Sequence, residues 1–202
     1  MPRSVKREYP KSRKPIILIV CEGRNKTETL YFKHFKKREA PYNLYIQGSE
    51  ATDIKNMAAK ADGYYKEYQM DKELGDHAFC LVDLDLDKDK LAKYEVAVRK
   101  YKNIEFIVSN PCFEIWLLYY FTENPKVVNS SQAVKELMGK FVENYKESTD
   151  VIEEKKLHNQ YAVAINHSEK KNSGYDGVPL IDRNPYTEVQ DVVVALTENL
   201  RQ

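Results

Sequence analysis

The stretch AFCLVDLDLDKDK, residues 78–90, decides how this chain is read. From Ala78 to Val82 it is a continuous apolar run, the pattern of a strand buried on both faces. It then places Asp83, Asp85, Asp87 and Asp89 at every second position. In extended chain, alternate side chains point the same way about 7 Å apart, from a rise of about 3.3 Å per residue. Asp83 and Asp85 are therefore expected to face one pocket, with Leu84 and Leu86 facing the core. Like charges at this spacing repel and call for compensation from outside the polypeptide. Aspartate is favoured at helix N-termini, which accounts for Asp87 and Asp89. It accounts less well for Asp83 and Asp85, which close a buried run. An all-oxygen set of this kind suits a hard cation such as Mg2+.

The flanking sequence alternates strand and helix signals. PIILIV (15–20) reads as a buried strand, and NKTETLYFKHFKKR (25–38) as a helix with Leu30, Tyr31, His34 and Phe35 on one face. Asn25 and Glu28 have the spacing of a capping box at its start. YNLYIQ (42–47) is a second strand; Ile54, Met57, Ala58, Ala61, Tyr65 and Tyr68 mark a second helix, opened by Ser49 or Thr52. HAFCLVD (77–83) is the third strand, and a helix follows over 88–101 with Leu91, Tyr94, Val98 and Tyr101 on one face. IEFIVS (104–109) is the fourth strand and CFEIWLLYYF (112–121) a buried helix. This order argues for an α/β fold, a mostly parallel four-stranded sheet flanked by helices. After Phe121 the strand signal fades. Ser130 or Ser131 caps one helix, Asp150 opens a longer polar one through Ile152, Leu157, Tyr161 and Ile165, and Asn184 with Pro185 starts the last. The expected organisation is a basic flexible arm over 1–14, an α/β domain over 15–122, and a helical C-terminal extension over 123–202 packing on the same domain.

Composition narrows the function classes. The net charge is only +1 among 202 residues, so any basic surface for nucleic acid is local. The arm is one such place, with six basic side chains against one glutamate. No apolar run approaches membrane-spanning length, and no secretory leader is evident at the N-terminus, so a cytoplasmic protein is expected. Cys21, Cys80 and Cys112 lack the close spacing of a zinc site and read as reduced residues of the strands. A calcium loop starting at Asp83 would need Gly and Glu where Lys88 and Tyr94 stand. An aspartyl nucleophile of the phosphatase kind would usually lie on the first strand, not the third. There is no Walker A sequence, so the chain is not itself a P-loop ATPase. His34 and His77 read as structural.

In open parallel sheets, ligands bind at the carboxyl ends of the strands. Here the first strand ends in Glu22, with Gly23 beside it for close backbone approach, and the third in the aspartates. An acidic residue followed by Gly after the first strand, with Asp-x-Asp after a later one, resembles the Toprim domain, a Rossmann-like fold. Within it the chain is most similar to the RloB family, related to AbiL-type abortive-infection proteins. The segments that carry this are ILIVCEGRNKTETLYF (17–32), LVDLDLD (81–87), SNPCFEIWLLYYF (109–121) and NPYTEV (184–189).

The resemblance implies a Mg2+-dependent nuclease, with Mn2+ as a substitute, acting on DNA or RNA, tRNA included, in phage defence. It makes Glu22 the general acid/base or metal-linked glutamate, and gives Asp83 and Asp85 the metal. Asp87 is a third ligand or outer acid; Leu84 stands where relatives often carry Arg. Lys26 is placed to neutralise a transition-state phosphate. Glu28, Glu114, Ser109 and Asn110 are accessory candidates, the last two as phosphate contacts at a strand end. Arg24, Lys170 and Lys171 are candidate backbone contacts. The resemblance also implies an AAA- or ABC-type ATPase partner. A different class of function is open: a catalytically silent module that docks on and regulates that ATPase. The apolar stripe from Val189 to Leu200 packs on the sheet or else supplies such an interface, or a homodimer's.

Overall fold

The structure of the protein, a computed structural model, describes residues 13–22, 26–49 and 53–198. Most of the basic arm, together with Gly23, Arg24, Asn25, Thr52 and Leu200, lies outside the described residues. Of the arm, Arg13 pairs with Asp76 at 2.5 Å and the Lys14 ammonium donates to the Ala40 carbonyl at 2.7 Å.

Four parallel strands form the sheet: β1 (Ile16–Glu22), β2 (Asn43–Ser49), β3 (His77–Asp83) and β4 (Glu105–Asn110). A fifth, β5 (Tyr186–Thr187), adds antiparallel to β4, so the order is β2-β1-β3-β4-β5. The unbroken apolar run of β1 has a simple cause. Ile17, Ile19 and Cys21 enter one core, while Ile16, Leu18 and Val20 enter a second core on the other face. Both faces are covered, so both side-chain sets must be apolar.

Helices α1 (Thr27–Lys33) and α4 (Glu114–Leu118) cover the first face through Tyr31, Phe32, Ile115 and Trp116. Helices α2 (Ile54–Glu67) and α3 (Lys88–Lys100) cover the second through Ile54, Met57, Ala61 and Ala97. The chain leaves β1 for β2 on one side and returns past it to β3 on the other. This makes the carboxyl ends of β1 and β3 the switch point, where a crevice opens above the sheet.

The C-terminal part comprises α5 (Ser131–Met138), α6 (Val151–Glu154), α7 (Tyr161–Asn172) and α8 (Val189–Glu198). Val134, Met138, Val151, Ile152, Ala164, Val192 and Val193 join the same core as α1 and α4. As far as Leu196 the stripe on α8 is thus sheet-facing, with Val189, Val192, Val193 and Leu196 all buried. Among the described residues, no helix is long and apolar enough to cross a membrane.

Several boundaries differ from the sequence reading. The long helix expected from Asp150 is two helices, because Lys156 and Asn159 take left-handed backbone and turn the chain between them. Buried Leu157 anchors that turn, which is why apolar spacing carried on through it. Asn184 and Pro185 do not start the last helix; they precede β5, and Thr187 Oγ1 accepts the Val189 amide at the helix start. Ser49 ends β2 rather than opening α2, whose N-cap is Asp53. At α1 the N-cap position falls on Lys26, whose side chain makes no capping bond, one residue beyond the expected Asn25, which lies outside the described residues.

Candidate functional site

Glu22 closes β1, and Glu28 sits in the first turn of α1, buried. Asp83 closes β3. The extended alternation expected beyond it does not continue, because Asp85 and Leu86 both take left-handed backbone. A turn, not a strand, brings Asp85 round to the same cleft, while Leu84 is fully buried as expected. Three backbone bonds to the end of β4 hold this turn. The Leu84 amide donates to the Ser109 carbonyl at 2.9 Å, the Asp85 amide to the Pro111 carbonyl at 2.9 Å, and the Leu86 amide to Asn110 Oδ1 at 3.1 Å.

The cleft, of about 120 Å³, gathers six carboxylates: Glu22, Glu28, Asp83, Asp85, Glu114 and Glu147. Lys26 and Lys135 also line it. Lys26 Nζ lies 3.4 Å from Glu22 Oε1 and 3.5 Å from Glu147 Oε2, and Lys135 bonds Glu147. Asp85 is bonded by Lys90 from α3 and by the Ser131 hydroxyl from α5. Glu114 accepts from the Tyr145 hydroxyl at 3.0 Å and the Thr27 hydroxyl at 3.3 Å.

Three lysines therefore face six acids, and the acids remaining without a cation are the deepest. Burial pushes the Glu28 carboxyl up to about 8, with the Glu114 and Glu22 charges adding to it. Burial also holds Asp83 well above the usual carboxylate range, reinforced by Glu28, Glu114 and Asp85. Glu147 goes the other way, lowered chiefly by its bond from Lys135. Burial alone would lower Lys26, but Glu22 and Glu147 outweigh it and raise it. The Cys112 thiol, also lining the cleft, is raised by burial and by Glu114, so it is no thiolate nucleophile.

Whether a hard cation fits is a question of donors and spacing. The donors fit, being six carboxylates balanced by only three lysines. The spacing is open. Among the described residues, the one triad of His, Cys or carboxylate groups with ligand atoms within 4.8 Å of one another is His34, Glu153 and His158, outside this cleft. A cation among the acids would draw them inward.

The remaining candidates separate clearly. Asp87 is the N-cap of α3, accepting from the Asp89 amide at 2.7 Å, and does not line the cleft. Ser109 is bonded to Thr187 Oγ1 at 2.9 Å, and Asn110 Nδ2 donates to the Ile181 and Arg183 carbonyls at 3.0 and 2.9 Å. Both are buried and engaged in shaping the turn, not open to a phosphate. Lys171 bonds Asn124 and Lys170 pairs with Glu123. The sequence reading did not single out Lys135, Tyr145 or Glu147, nor Thr27 and Ser131 as site residues. They come from polar helix and loop positions with no motif of their own, and only packing of the C-terminal part over α1 brings them in.

No curated protein and no solved structure matches the chain significantly. A family model does, described as RloB-like protein, and the match runs over residues 17–196, from the first residues of β1 to the buried Leu196 of α8. It thus spans every residue of the acidic cleft. The chain belongs to the RloB-like family.

Proposed function

We propose that the chain is a Mg2+-dependent nuclease of the Toprim kind, cutting phosphodiester bonds of DNA or RNA in phage defence under the control of an ATPase partner. The observation that carries this reading is the convergence of Glu22, Glu28, Asp83, Asp85 and Glu114 at the switch point, more acid than its lysines balance. Glu22, Asp83 and Asp85 are the residues that would hold Mg2+ or Mn2+. When bound, the ion polarises a phosphodiester oxygen and lowers the pKa of water. Glu28, the buried carboxyl beside these ligands, is placed to give a proton to a departing oxygen. Lys26 Nζ, between Glu22 and Glu147, can swing to a phosphate oxygen as substrate enters. Tyr145 and Thr27 fix the buried Glu114 carboxylate.

The second reading, a silent module docked on the ATPase, is favoured by one feature. An apolar groove of about 370 Å³ on α3, lined by Ala92, Val96, Ala97 and Tyr101, leaves Val96 62% exposed. The two separate in one assay. The full chain, alone and with its ATPase, is incubated with DNA, RNA and tRNA in Mg2+, Mn2+ or EDTA. Cleavage that requires metal and falls at least ~100-fold in Glu22→Gln and Asp83→Asn supports the nuclease. No cleavage by the chain–ATPase complex, or equal cleavage by the folded variants, refutes it.

A further inference from the structure

His34 follows α1 as its C-cap, and α6 with the turn after it brings Glu153 and His158 alongside. The two imidazole rings stand 5.1 Å apart, centroid to centroid. One ligand atom from each of His34, Glu153 and His158 lies within 4.8 Å of the other two. Asp150 adds a second carboxylate, its oxygens 2.8 and 3.0 Å from His34 Nε2, and Glu153 Oε2 lies 3.0 Å from His158 Nε2. The cluster edges a cavity of about 170 Å³ lined by Tyr31, Tyr120 and Tyr161. None of the four residues lines the acidic cleft.

We infer that these residues form a second metal site, for a borderline cation of the Zn2+ class. Imidazole with carboxylate suits Zn2+, whereas Mg2+ prefers oxygen alone. A tetrahedral Zn2+ with bonds of about 2.0–2.2 Å sets its ligand atoms about 3.3 Å apart. The present spacing therefore has to close by roughly 1.5 Å at most, a distance that rotations of half-exposed His158 and exposed Glu153 cover. Asp150, which caps α6 by accepting the Glu153 amide and bonds His34 Nε2, holds His34 in place from outside this trio, and water takes the fourth position. The site ties the end of α1, whose first turn carries Glu28, to the segment that follows Glu147, and so clips one wall of the acidic cleft to the other.

The test is Zn2+ titration of the full-length chain in the Asp83→Asn, Asp85→Asn background, with a competing chelator, and Co2+ absorption as a coordination readout. This background takes away two of the three ligands proposed in the acidic cleft, and the His158 and Glu153 variants lie outside it, so the result is independent of the nuclease reading. The expected result is one Zn2+ equivalent, undisturbed by excess Mg2+. Outer-sphere partners alone are worth about 10- to 100-fold in affinity, so His158→Ala is expected to weaken Zn2+ by ~100-fold or more. Glu153→Gln, at an exposed position, gives a second variant that keeps the fold. No saturable Zn2+ binding, or binding and Co2+ spectra unchanged in both variants, overturns the proposal.

Discussion

Replacing Glu28 by Gln should make the protein more resistant to alkaline pH, which is an unusual expectation for a buried charged residue. The Glu28 carboxyl, ordinarily near 4.5, is pushed up to about 8 by burial and by Glu114 and Glu22. A carboxyl with a raised folded-state value binds its proton more tightly folded than unfolded. The stability it contributes is full below 4.5, declines as pH rises, and is gone above about 8. Each pH unit in that window removes about 1.4 kcal/mol, so the wild type loses roughly 3 kcal/mol between pH 5 and 7.5 through this group. Gln keeps the shape and cannot ionise, so the loss disappears. Asp83 is raised in the same direction, first by burial, so both proteins keep the slope that this second group contributes. Urea and thermal unfolding in EDTA across pH 5–8 measure the effect. For a chain of this size, 1 kcal/mol is about 2–4 °C, so the variant's Tm should fall short of the wild-type decline by roughly 6–12 °C. Parallel pH profiles for the two proteins would refute the reasoning, because they would mean that Glu28 is ionised and solvated in the folded state.

Two other substitutions follow from the hydrogen-bond geometry. Asn110→Ala removes a buried side chain that accepts from Leu86 and donates to Ile181 and Arg183, leaving groups that would each cost about 1–3 kcal/mol if unsatisfied. The expected loss is roughly 3–5 kcal/mol, with faster amide exchange at Leu86; a loss under ~1 kcal/mol would show that the turn holds itself. Asp85→Asn, which tolerates the left-handed backbone at this exposed position, should alter stability by less than about 1 kcal/mol while abolishing Mg2+ heats in titration calorimetry. Unchanged Mg2+ affinity would strike Asp85 from the ligand set.

Local pattern was enough to read the parallel sheet and its helices. The apolar runs over 16–21 and 78–82 read as strands buried on both faces, and their acidic ends mark Glu22 and Asp83 from the sequence alone. The chain's punctuation was less legible. Apolar spacing through Ile152, Leu157 and Tyr161 is the same whether one helix or two carry it, and only the left-handed Lys156 and Asn159 break it. Tyr186 and Thr187 are too few to signal a strand, and pairing with Ser109 and Asn110 makes them one.

The sequence by itself determined which strand ends carry acid, because that depends on side-chain chemistry at positions a few residues apart. Only the tertiary structure decided that Glu28, Glu114 and Glu147 join them, that Asp87 does not, and that Asn110 is a brace. The same holds for His34 meeting His158, more than a hundred residues later. Such groupings depend on how α1 and the C-terminal helices share one core, and burial there, not residue type, sets how firmly each carboxyl keeps its proton.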